Sequence, residues 1–155
     1  MYAIGMNTSG VLASGVELST KGFSLGDEVA DHAGNIFRFC QASGAVAVND
    51  CVVITSAGIA QAITSTLGTA GGYVGVAQAA LASAEYGWAQ VLGVTSLQVL
   101  STCSAGVALY TSGTAGKLDD ASASQVKVAG AQLVANATTS GVYTAILVTR
   151  PFIAL

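Results

Sequence analysis

Charge is what this chain of 155 residues has least of. Asp, Glu, Lys and Arg make up 8% of it, against about 25% in an ordinary soluble domain. The five basic residues, Lys21, Arg38, Lys117, Lys127 and Arg150, are scattered, and the net charge is −3. Binding to nucleic acid demands clustered Lys and Arg, so that class of partner is excluded. No polybasic segment offers attachment to an anionic membrane either. Histidine occurs once, as His32, and proline once, as Pro151. The three cysteines, Cys40, Cys51 and Cys103, are an odd number with no Cys-x-x-Cys spacing. They read as small buried apolar residues of a protein made in a reducing cytoplasm. A Cys40–Cys51 bridge across a hairpin is the lesser alternative. Residues 1–7 hold no basic stretch and no continuous apolar run, so no secretory leader is expected.

Two long stretches, 51–84 and 86–116, contain no charge at all. Each is longer than the roughly 20 residues that span a bilayer. Thr, Ser, Gln and paired Gly interrupt them every few positions, however, and the apolar residues are β-branched, which argues against a membrane helix. A membrane barrel needs strands of about ten residues and aromatic girdles, and aromatics are only 6% of the chain.

What remains is Ala, Val, Gly, Ser and Thr. Hydrophobic residues reach 52% and Gly numbers 19, with much of the apolar content in Ala and Val. A chain so composed must show a largely uncharged exterior. Soluble monomers usually keep a charged one, so the exterior is expected to be covered by neighbours in an oligomer or larger assembly. A weakly charged monomer is the alternative.

The chain also repeats itself. The run from Cys51 to Ser56 is echoed by Val107 to Ser112, 56 positions on. Gly75-Val76-Ala77-Gln78 is echoed by Gly130-Ala131-Gln132, and Trp88 to Leu92 by Tyr143 to Leu147, each 55 positions on. Three echoes in one order point to a duplicated unit of about 55 residues. Strands are expected from Ile36 to Cys40, Cys51 to Ile54, Ile59 to Thr64, Tyr73 to Gln78, Trp88 to Leu92, Thr95 to Ser101, Val107 to Thr111, Val126 to Leu133 and Val142 to Thr149. Turns such as Asp31-His32-Ala33-Gly34-Asn35 separate them. Residues 79–84 suggest one helical turn, and Pro151 makes the last residues an edge strand or docking tail. The fold class is therefore all-β, a small barrel or sandwich of ten or more short strands. Residues 1–20 form an extended N-terminal arm, and residues 21–155 form the β domain, with related units at about 36–92 and 93–148.

Little in this chain carries chemistry. His32 lies beside Asp31, with Asp27 and Glu28 near, but triad members are seldom set side by side in a tight turn. Asp119-Asp120 offers two carboxylates, too few for calcium, which takes six to eight oxygens. Residues 71–75 and 112–117 are glycine-rich but fit neither phosphate-loop spacing, so they read as β-turns. Trp88 and Tyr143 occupy corresponding places in the two units; such a pair either anchors a core or stacks on a sugar. We expect no catalytic residue, no cofactor-binding residue, no metal ligand and no cofactor.

Several segments in order do resemble a known family. They are Gly26-Asp27-Glu28-Val29, Asn49-Asp50-Cys51-Val52-Val53-Ile54, residues 75–80, residues 86–93, Ala105 to Ser112 through Gly116-Lys117-Leu118, and residues 128–132. Together they are similar to the small Ala/Gly/Val-rich capsid decoration, or cement, proteins of tailed bacteriophages, over about residues 22–149. The resemblance implies a non-enzymatic virion protein, made in the host bacterial cytoplasm and placed on the capsid exterior. It implies a homo-oligomer, often a trimer near local threefold axes, that binds the major capsid protein and braces the expanded head. The other classes are a head-fibre base or tail component, a glycan-binding surface adhesin using Trp88, Tyr86 and Tyr143, and a small hydrolase using His32. An arm at residues 1–20 could add a strand to a neighbouring chain.

Overall fold

The computed structural model describes residues 10–11, 22–67, 72–123 and 125–154. The expected N-terminal arm lies outside these, apart from Gly10 and Val11. The architecture is all-β. Among the described residues its ten strands are β1 (Glu28–Ala30), β2 (Ile36–Ala42), β3 (Cys51–Ile54), β4 (Ile59–Ala62), β5 (Tyr73–Ala77), β6 (Tyr86–Val99), β7 (Leu109–Thr111), β8 (Leu118–Asp119), β9 (Lys127–Leu133) and β10 (Gly141–Ala154). A short 3-10 turn occupies Ser65–Leu67.

All ten strands belong to one hydrogen-bonded sheet, and its extra pairings close it twice. The first circuit runs β2–β4–β3–β5–β6 and back to β2. The second runs β6–β8–β7–β9–β10 and back to β6. Each has a single parallel pair, β2–β4 in the first and β6–β8 in the second, and is otherwise antiparallel. The order of pairings is thus the same in both, with β2 to β6 of the first circuit taking the places of β6 to β10 in the second. Trp88 packs in a cluster outside the first circuit, whereas Tyr143 packs against the core of the second, so the two do not occupy corresponding places.

Strand β6 is the shared wall. Its residues up to Leu92 pair with β2, and those from Gly93 pair with β10. The sequence suggests two strands here, with Gly93 as a break. Instead the strand turns through Gly93 without ending, because Gly93 adopts a φ of 100°. A Cβ there would run into the Asn35 side chain, whose Oδ1 accepts the Val94 N–H at 3.1 Å. Strand β10 likewise continues past Pro151. The ladder with β9 shifts register between Leu147 and Phe152, so the proline falls where the regular pairing is interrupted. Phe152 then pairs with Ala129 on β9 and with Tyr73 on β5. The last residues are thus an integral strand rather than a tail. The helical turn expected at 79–84 is absent; Leu81 instead forms a bridge with Val46.

Closing only five strands leaves a narrow interior, which explains the chain's preference for small apolar residues. The first circuit is filled by Cys40, Ala42, Val52, Ile54, Ala60, Ala77, Ala89 and Val91, with Val46 and Leu81 at one end. The second holds Leu97, Val99, Leu109, Leu118, Val128, Ala145 and Leu147. Cys51, Val53, Val74 and Val76, on the opposite faces of β3 and β5, join that second core. Strands β3 and β5 are therefore covered on both sides, the physical reason Cys51–Ile54 reads as an unbroken apolar run. A third cluster, Val29, Phe37, Phe39 and Trp88, lies outside the first circuit under Phe23 and Leu25.

Candidate functional site

The residues that sequence reading singles out for chemistry are kept apart by the fold. His32 is exposed at the tip of the β1–β2 hairpin. Its neighbour Asp31 is occupied in holding the turn. Its Oδ1 accepts the Ala33 and Asn35 N–H groups at 2.9 Å each, and its Oδ2 accepts Asn35 Nδ2 at 2.7 Å. Partial burial pushes the Asp31 pKa up, but the bonds from Asn35 and Ala33 outweigh it and hold the carboxyl below its usual value. A carboxylate so committed is a turn-former, and no hydroxyl or thiol is hydrogen-bonded to His32 among the described residues. No triad geometry is present there.

Asp119 and Asp120 come together with Cys103, their ligand atoms all within 4.8 Å of one another. The donors are already used. The Cys103 thiol donates to Leu100 O at 3.4 Å and to Asp119 Oδ1 at 3.5 Å. Asp119 Oδ1 also accepts Asp120 N at 2.9 Å, and Asp120 Oδ2 accepts Ser104 N at 2.8 Å. Burial, reinforced by both carboxylates, pushes the Cys103 thiol up to about 11. It is therefore a protonated donor rather than a thiolate ligand, and the cluster serves to close the 100–104 turn onto β8.

The glycine-rich loops have structural occupants. Gly116 takes a φ of 76°, and a Cβ there would run into the Asp50 carboxylate. An acid in this position repels phosphate. Ser112 Oγ donates within the same loop, to Lys117 O at 2.7 Å. Asp50 itself joins the two circuits. Its Oδ2 accepts Ala47 N at 2.8 Å and its Oδ1 accepts Gln98 Nε2 from β6 at 3.0 Å. Burial pushes its pKa up, with the Ala47 N–H and the nearby Lys117 charge pulling the other way. Of the other stretch, residues 71–75, position 71 lies outside the described residues, and Tyr73 to Gly75 belong to β5 rather than to a turn, with Gly72 packed close to the Val53 side chain.

Trp88 is only 5% exposed, with Phe23 edge-on at a centroid distance of 5.0 Å and Phe39 also at 5.0 Å. It cannot stack on a sugar, which removes the centre of the glycan-binding alternative. The cysteines are all free and buried; Cys40 and Cys51 lie in different cores, so no Cys40–Cys51 bridge forms. Glu28 receives Arg150 at 2.6 Å and Arg38 at 3.7 Å, tying β1 to β10. Arg38 also lies 4.3 Å over the Tyr73 ring.

Among the described residues the fold offers open surface. Depressions of about 280 to 430 Å3 are open grooves, and His32 lines none of those described. Val94, Val107, Val134, Val142, Ile146, Val148 and Phe152 are exposed. Sequence composition foretells such an exterior but not which strands carry it, because that depends on the double closure of the sheet. No protein-family model matches this chain, and no curated protein matches it significantly.

Proposed function

We propose that this chain is a structural virion protein of a tailed bacteriophage. It binds the outer surface of the capsid as a homo-oligomer, a trimer by the resemblance drawn above, and stabilises the expanded head. Its partners are the major capsid protein and further copies of itself, and it works without a catalytic step. The observation that carries this reading is a charge-poor, partly apolar exterior on a closed β scaffold. Interfaces deplete charge at their centres, and this chain has little charge to deplete. Two narrow circuits sharing a wall make a stiff brace, suited to a load-bearing role. Each contact with the shell is modest, and repetition over a symmetric lattice multiplies the affinity through avidity.

The test is co-sedimentation of the purified chain with DNA-free expanded shells of its own phage. Saturable binding at a fixed number of copies per shell supports the reading. A chain that stays in the supernatant at every concentration overturns it.

A further inference from the structure

The most exposed apolar surface lies on three adjacent strands of the second circuit. On β10 the side chains alternate cleanly. Ala145 and Leu147 point into the core, while Val142, Thr144, Ile146 and Val148 are exposed. On β6, Val94 and Ser96 are exposed and Gln98 is half-buried, while Leu97 and Val99 point inward. On β9, Gln132 is exposed, and Val134 just beyond the strand continues the row. The register places Val94, Ile146 and Gln132 side by side in one row and Ser96, Thr144 and Val134 in the next. A strand apolar on both faces is the pattern of a strand covered on both faces, yet among the described residues nothing covers this one.

We propose that this face packs against the same face of one or two further copies of this chain, about a shared symmetry axis. This deepens the homo-oligomer part of the proposed function and rests on that part alone. Near a symmetry axis each residue meets its own copy. A charge there would meet a like charge, and a lone donor would meet another donor. This face contains no charged side chain. Ser96, Thr144 and Gln132 carry groups that both donate and accept hydrogen bonds, so they can pair with their own copies, while the Gln98 amide donates inward to Asp50 Oδ1. Val94, Val134, Val142, Ile146 and Val148 supply an apolar centre among them.

The size of the face sets the strength. Three strands at about 4.8 Å spacing and six residues at about 3.3 Å give a footprint on the order of 300 Å2. A stable stand-alone interface buries about 800 Å2 per partner. The face therefore forms the centre of a contact that is weak in dilute solution and favoured at high local concentration, as on a lattice.

Two measurements test this. In sedimentation velocity from about 1 μM to 1 mM, the chain forms larger species as concentration rises, and Ile146→Lys raises the dissociation constant at least about tenfold. Ser56→Lys, on the exposed β3–β4 turn, leaves it unchanged. In the second, Thr144→Cys is oxidised mildly. Because the native cysteines are buried, a covalent dimer forming faster than with Ser56→Cys reports the face meeting its own copy. A wild-type chain monomeric at about 1 mM, equal effects of Ile146→Lys and Ser56→Lys, or equal cross-linking of the two cysteine variants would each overturn the inference. Self-association without capsid binding would sink the proposed function and leave this inference standing.

Discussion

Replacing Gly93 by Ala strikes the point where the shared strand passes from one circuit to the other. Two costs add. Holding a residue with a Cβ at a φ of 100° costs on the order of 1–3 kcal/mol. The new methyl also displaces the Asn35 carboxamide, whose oxygen accepts Val94 N, a bond worth about 1 kcal/mol. The total is about 2–4 kcal/mol, a large part of the stability of a domain this size. Asn35→Ala loses the same bond, together with its Nδ2 bond to Asp31, for about 1–3 kcal/mol. The two substitutions share one interaction, so the double variant should cost less than the sum by about 1 kcal/mol. Equilibrium unfolding in urea, followed by circular dichroism, measures all three. If the costs add within about 0.3 kcal/mol, the Asn35–Gly93 contact does not couple the circuits and the reasoning is refuted.

Two further outcomes are expected. Asp50 has its pKa raised in the folded state above the unfolded value of 3.8, so the folded form holds the proton more readily. Its contribution to stability is full below that unfolded value and is lost as pH rises through the folded one. Relative to Asp50→Asn, the wild type should therefore gain stability between neutral pH and about pH 4; urea midpoints whose difference does not change with pH would show the carboxylate to be solvated. The thiols are protonated as well as buried, Cys40 pushed up to about 12 by desolvation and Cys103 to about 11. A thiol-specific reagent should thus label none of the three cysteines in the folded protein and all three in urea; rapid labelling of any one before unfolding contradicts the packing described.

The parts of the fold that can be read from residues are those set by local chemistry. The Asp31–Asn35 hairpin follows from turn residues, and β3 follows from four consecutive apolar side chains that only a doubly covered strand accommodates. The parts that cannot be read depend on distant partners. Gly93 looks like a strand end because nothing nearby in sequence reveals that Asn35 fills the space beside it. Pro151 looks like a terminator because the register shift that accommodates it is set by β9. Strand β8, Leu118–Asp119, is too short for any periodicity. Trp88 reads as a core anchor with a stacking platform as the alternative, and only Phe23 and Leu25 covering it decide between them. The scarcity of charge is legible in composition alone, whereas the concentration of uncovered valines on β6 and β10 and just past β9 emerges only once the sheet closes.

The central claim is that an exterior so poor in charge is completed by a capsid lattice and strengthens it. Heating expanded shells with and without the saturating protein, while following their rupture by light scattering, tests this most directly. The account predicts a higher rupture temperature with the protein bound, and loss of that gain when the protein is stripped off. An unchanged rupture temperature on fully occupied shells would contradict it.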